Sequence, residues 1–316
     1  MATQETQKVD EIIASRRAVM LGGTALAALA LTGTSKAQTA TAPTDNDILN
    51  FALNLEYLEG QFYTLATSGQ TIDQVGIGIG AGTSATGGGT VTVKPTGVAS
   101  CKVPFADPTN AAYATETAIE ERKHVAFLRT TLGSVAVAQP NLDLYNSFIA
   151  LGNLIGVPNF DPFANDLFFL LGAYIFEDVG VTAYHGAAGL ITSKTVLGAA
   201  AGIHAVEAYH AGLVRTVLYR LDSQTPTLGI AGLTQKISAV RNKADGSTTT
   251  DDVGLSQVQV ALNGTSPTYT SSTVVNADAN SIGFARTTTQ VLSIVTVGAA
   301  GNKGGFFPAG LNGTIK

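Results

Sequence analysis

Cysteine is almost absent. Cys101 stands alone in 316 residues, so neither a disulfide framework within the chain nor a thiolate metal site can be assembled from cysteines. Tryptophan is missing altogether, and charged residues make up only 13%, well under the usual share of about 25%. With 45% hydrophobic residues beside them, that scarcity excludes a disordered, charge-solvated chain. Basic residues are short as well: 18 lysines and arginines face 23 aspartates and glutamates, a net charge of −5, with no basic cluster beyond the N-terminus. A surface that tracks phosphates therefore has nothing to work with, and no nucleic acid partner is expected. The glycine runs lack the lysine and serine or threonine of a phosphate-cradling loop. Four histidines are left as the scarce residues to follow.

What is present begins with an address. Ser15-Arg16-Arg17-Ala18-Val19-Met20-Leu21 runs into an apolar, small-residue stretch over 22–34, and Ser35-Lys36-Ala37 follows with small residues where a signal peptidase cuts. Paired arginines, apolar stretch and cleavage site in that order read as a twin-arginine export signal over residues 1–37. The mature protein is expected in the periplasm or outside the cell.

Four long helices follow from periodicity and caps. The first, from Asp45-Asn46-Asp47, repeats Ile48, Phe51, Leu55, Leu58, Phe62 and Leu65 at helical spacing until Ser68-Gly69. The second opens at Asp107-Pro108 and ends near Gly133; the third opens at a second Asp-Pro, Asp161-Pro162, and runs to about His185; the fourth spans roughly Thr195 to Leu221. The third is apolar enough to suggest a membrane span, but Glu177 and Asp178 interrupt it, so burial in a bundle is expected and no stable span after signal cleavage. About 70–106 form a Gly-rich insertion in which Thr90-Val91-Thr92-Val93-Lys94 alternates like a β-hairpin. A long connection with a short apolar helix, near Leu144 to Leu154, joins the second helix to the third, and a short turn joins the third to the fourth. The expected fold is mainly α: a ferritin-like four-helix bundle over 45–221 with the insertion between its first two helices. A C-terminal extension over 222–316 follows, with helices near Thr234 to Lys243 and Thr287 to Val297, read as packed on the bundle.

Every glutamate beyond residue 37, and every histidine, lies in those four helices. Glu56 and Glu59, Glu121 and His124, Glu177, and Glu207 and His210 fall on core-facing seams among apolar residues. Buried carboxylates without partners cost several kcal/mol each, and the few basic residues do not fall on these seams, so something else must neutralise them, as divalent cations would. Glu121-x-x-His124 and Glu207-x-x-His210 each set a carboxylate and an imidazole one turn apart, while Glu56 and Glu177 add one carboxylate from each remaining helix. Two helices giving Glu and two giving Glu-x-x-His is the di-metal carboxylate pattern of such bundles. Oxygen and imidazole donors suit two divalent ions of iron or manganese.

Asn50-Phe51-Ala52-Leu53-Asn54-Leu55-Glu56-Tyr57-Leu58-Glu59, Ile119-Glu120-Glu121-Arg122-Lys123-His124-Val125 and Gly304-Gly305-Phe306-Phe307-Pro308 resemble exported ferritin-like proteins related to plant desiccation-related proteins. The resemblance covers about 45–221 and the tail. It implies Glu56 and Glu177 as terminal ligands, Glu121 and Glu207 as bridging ligands and His124 and His210 as nitrogen ligands. Tyr63 matches the aromatic that follows the first ligand in such helices. The insertion and the long tail depart from storage ferritins and argue against a hollow shell.

Glu59 shares the seam of Glu56, as an additional ligand, a hydrogen-bond acceptor supporting the ligands or a partly solvated acid. Glu116 and Glu120 are expected on the flank, solvated or paired with Lys123, His185 and His204 in capping or surface roles, and Tyr174 and Tyr184 in packing. The functional expectation is a redox centre that oxidises ferrous iron or detoxifies peroxide, with a small oxidant or metal ion as substrate and a homo-oligomer as the assembly. The rival is a non-catalytic protective protein of the desiccation type, or an envelope assembly subunit.

Overall fold

The computed structural model describes residues 42–247, 250–261, 268–298 and 300–316, so the export signal read at 1–37 lies outside the described residues. Helix α1, Asp45–Ser68, is fixed at both ends. Thr44 accepts from the Asp47 amide while the Asp47 carboxylate accepts from the Thr44 amide, and Gly69 closes the helix in the left-handed region. Every residue from 48 to 66 is buried, which makes α1 the central helix of the molecule. Helix α2, Pro108–Leu132, starts on Asp107 with proline in its first turn. A short α3, Asn146–Ile155, lies in the long crossover. Helices α4, Asp166–Ala188, and α5, Lys194–Gln224, are capped by Asn165 and Ser193 and joined by a short turn. The main contacts pair α1 with α2 and α4 with α5. Among the described residues two further helices follow, α6, Ile230–Ala244, and α7, Thr288–Val295. Helix α4 is long and apolar enough to cross a bilayer by length and composition, yet most of it is buried among its neighbours.

Two local expectations are corrected. The alternating segment at 90–94 does not fold back on itself: β1, Val91–Thr92, pairs in parallel with β2, Leu142–Asp143, from the crossover. The buried Leu142 holds that partner in place, and Gly89 lets the chain pass, since a Cβ there would lie 2.4 Å from the Pro140 and Asn141 backbone. Arg129 fastens the rest of the insertion, donating to the carbonyls of Gly80, Gly82 and Ser84 and to the Tyr57 hydroxyl. Asp161-Pro162 does not open α4 either. Asp161 accepts from the Phe163 amide in a tight turn and pairs with Lys94 at 2.9 Å, and the helix begins only after Asn165. A hairpin absent from the sequence reading, β3, Gln257–Ala261, with β4, Thr268–Ser272, stands in the polar part of the extension.

The extension meets the bundle through a buried ion network. Arg215 on α5 reaches Asp178 on α4 at 2.7 Å, and Arg241 on α6 reaches the same carboxylate at 3.0 Å and Asp252 at 2.6 Å. Arg286 closes the set on Asp245 and Asp252. These arginines stand off the glutamate seams.

Candidate metal centre

Four helices turn carboxylates onto the bundle axis, and six of the side chains singled out in the sequence meet there. Nδ1 of His124 lies 3.2 Å from Glu56, 3.5 Å from Glu121 and 3.7 Å from Glu207. Nδ1 of His210 lies 3.0 Å from the other Glu121 oxygen and 3.5 Å from Glu177. Two donor clusters result, Glu56, Glu121, His124 and Glu207 in one and Glu121, Glu177 and His210 in the other. Glu121 is common to both, one oxygen each; Glu207 belongs to the first alone.

One feature repeats between α1 and α4. Tyr63 follows Glu56 by seven residues and Tyr184 follows Glu177 by seven, and each hydroxyl crosses to the opposite helix. Tyr184 donates to Glu56 Oε1 at 2.5 Å, and Tyr63 donates to Glu177 Oε1. Each tyrosine thus occupies the outer oxygen of a terminal carboxylate and leaves the inner one facing the centre. The expectation that Tyr184 only packs is corrected by this contact.

Eight buried polar atoms converge without a hydrogen-bond partner: Glu56 Oε2, both oxygens of Glu121, Glu177 Oε2, both oxygens of Glu207, and Nδ1 of His124 and His210. Each such atom costs on the order of 1–3 kcal/mol when buried unpaired, more when charged. Charge compounds the strain. Burial, against the pull of His124, pushes the Glu56 carboxyl up to about 7. Burial, then the charges of neighbouring glutamates, holds Glu59 and Glu207 well above the ordinary carboxylate range. Burial also opposes ionisation of Glu121, but the adjoining His124 and His210 rings overcome it and hold that carboxyl at about 2. Burial favours a neutral His124, yet the surrounding carboxylates raise it to about 11. Three or four oxygen and imidazole donors per cluster fit a divalent transition metal with coordination positions to spare.

Glu120, expected on the solvated flank, instead accepts or shares a hydrogen bond with Nε2 of His210 at 2.7 Å, directing Nδ1 of that ring inward. Glu116 stays exposed. Glu59 is buried but joins neither cluster. It faces Gly180, where a Cβ would sit 2.1 Å from Glu207 Oε2 and 3.5 Å from Glu59 Oε1. His185 bonds the Phe284 carbonyl through Nδ1, and its ring lies 5.9 Å from that of His204. Cys101 is buried, and burial raises its thiol to about 11, which leaves it inert.

Four packed helices, a long crossover and paired carboxylate–imidazole clusters sharing a glutamate define a ferritin-like carboxylate bundle. The chain belongs to the ferritin-like family, whose ferritin-like domain matches residues 44–220. Its desiccation-related kinship is shown by the desiccation-related protein PCC13-62 of Craterostigma plantagineum, 34% identical over 266 residues, 81% of this chain and 78% of that protein. The ferritin-like catalase Nec2 of Nesocodon mauritianus is 27% identical over 278 residues, 86% of this chain and 84% of that protein. No solved structure matches the chain.

Proposed function

We propose that the chain is an exported protein holding two iron or manganese ions, with Glu56, Glu121, His124 and Glu207 around one and Glu121, Glu177 and His210 around the other, and that it disproportionates hydrogen peroxide. The observation that carries the reading is the convergence of eight unpartnered buried donor atoms on one point of the bundle. Bound redox metals would supply the electron exchange by which two peroxides become dioxygen and two waters, with no outside reductant. The chain's own groups set the stage. Tyr63 and Tyr184 fix the terminal carboxylates, Glu120 orients His210, and Glu59 stands buried beside the Glu207 carboxylate. The name of the Nec2 relative supports a peroxide rather than ferrous iron as the substrate. The name of the PCC13-62 relative supports the second reading, a protective bundle in which the metals only stabilise.

Elemental analysis of the protein purified after export separates the two. Close to two iron or manganese ions per chain are expected. Glu121→Ala is expected to lose both, because Glu121 serves both clusters, and His124→Ala to lose one. Peroxide added to the loaded protein is expected to release dioxygen. Full metal without peroxide turnover, and a lowered Tm in Glu121→Ala, would favour the protective reading; no uptake on reconstitution would sink the catalytic reading and leave a protective or structural bundle.

A further inference from the structure

Two of the four histidines play no part in the donor clusters. His185, in the last turn of α4, and His204, on α5, both line a cavity of about 270 Å³ that Val274, Val275 and Asn276 of the extension close from the other side. None of the six clustered donors lines it. The space holds several waters, since each takes about 30 Å³ in the liquid. Val275 is 76% exposed, so the cavity lies close beneath the surface.

The charged pair in that lining is already committed. Arg215 donates from all three of its nitrogens, to Asp178, to the Tyr174 hydroxyl and to the carbonyls of Val253, Thr273 and Val274, and Asp178 is held by Arg241 as well. An anion would therefore meet no free cation here. The imidazoles are placed differently. Nδ1 of His185 lies 3.1 Å from the Phe284 carbonyl, which can only accept, so that nitrogen carries the hydrogen and Nε2 keeps its lone pair. A backbone carbonyl on the other ring nitrogen is what fixes the tautomer and orientation of a metal-binding imidazole. Nδ1 of His204 is buried and makes no well-formed hydrogen bond. Burial and the neighbouring His185 push the His204 imidazole below its ordinary value, with the Val181 carbonyl pulling the other way, so this ring too is neutral and offers a lone pair.

The two rings stand 5.9 Å apart between centroids. A ring centre lies about 3.2 Å from a zinc ion that its nitrogen binds at about 2.0–2.1 Å, so two rings sharing one ion are separated by about 5 Å at a tetrahedral angle and by no more than about 6.4 Å. We infer that His185 and His204 form a second kind of metal site, separate from the carboxylate centre, that takes one borderline divalent ion, zinc or copper, with water from the cavity in its remaining positions. Two imidazoles with no free carboxylate beside them suit those ions rather than calcium, magnesium or manganese. His185 also stands at the end of α4, where the helix dipole favours a cation. The Phe284 carbonyl belongs to the extension, so the site is built jointly by the bundle and the segment packed on it. It does not depend on the peroxide reading above.

The test uses zinc chloride as the probe. Crystals of the protein soaked in it and measured on both sides of the zinc absorption edge are expected to show an anomalous peak at ligating distance from a ring nitrogen of both His185 and His204. In solution, protein whose carboxylate centre is loaded with iron or manganese is expected to take up one further zinc per chain on equilibrium dialysis. His185→Ala and His204→Ala are each expected to lower that zinc affinity by about tenfold or more, at least the usual cost of losing a group that merely supports a ligand. Their iron or manganese content is expected to stay at the wild-type level. His204→Gln, which fills more of the vacated space, serves if the alanine variant does not fold. Should the centre hold no iron or manganese, a difference of one zinc per chain between wild type and His204→Ala still reads the histidine pair alone. Zinc confined to the glutamate clusters, no peak between the two rings, or equal zinc affinity in the folded histidine variants overturns the site.

Discussion

Glu56 shows how a single side chain can set the pH response of the whole centre. Its ordinary value is 4.5, and burial in the folded protein raises it to about 7. Between those values the unfolded chain has released the proton and the folded chain retains it, so stability falls as pH rises. Glu59 and Glu207, raised further by burial and by their neighbours, extend the fall in the same direction. His124, raised from 6.5 to about 11, contributes in full below 6.5 and loses that contribution as pH climbs toward 11. Glu121, depressed to about 2, contributes in full above 4.5 and adds no slope in this window. The metal-free protein is therefore expected to lose Tm steadily from about pH 5 to about pH 9, and the metal-loaded protein, its protons already displaced, to hold a flatter curve. Thermal unfolding with and without added metal checks this; a metal-free Tm that rises with pH would contradict it. At this scale the two Glu-x-x-His pairs were legible because a helix turn puts their donors on one face. Tyr184 was missed, although the interval from Glu177 to Tyr184 repeats that from Glu56 to Tyr63 and was the signal available. Glu120 carried no signal, because its partner is on another helix.

Helix α4 illustrates what an element does with two faces. Glu177 looks into the centre while the adjacent Asp178 looks toward the extension, held by Arg215 and Arg241. Arg241 also serves Asp252 and the Tyr174 carbonyl, so its removal leaves two buried carboxylates short of a partner. Arg241→Ala is expected to lower stability by about 3–5 kcal/mol, the usual effect of breaking a buried pair from one side. Chemical denaturation measures it, and a loss below about 1 kcal/mol would mean that water relieves the stranded aspartates. Several helix ends were readable, since Asp107 and Ser68-Gly69 act through local hydrogen bonds. The strands were not. A two-residue pairing such as β1 with β2 depends on which distant segment lies alongside, and alternation in 90–94 says nothing about that.

At the scale of the whole molecule, destination and assembly belong together. If Arg16-Arg17 is the export address, Arg16→Lys with Arg17→Lys is expected to hold the protein in the cytoplasm at precursor length. Cell fractionation with an intact-mass measurement checks this, and unchanged processing and location would remove the twin-arginine reading. The sequence by itself determined a mainly helical ferritin-like chain and the six donors that meet at its axis, because helical periodicity and capping are local and a carboxylate on an apolar seam calls for a cation beside it. The tertiary structure alone decided that Glu121 is shared by both clusters, that Tyr63 and Tyr184 cross to opposite carboxylates, and that Arg215, Arg241 and Arg286 bind the extension to the bundle. Those are contacts between segments far apart in the chain, and only packing fixes which side chains face each other across a core.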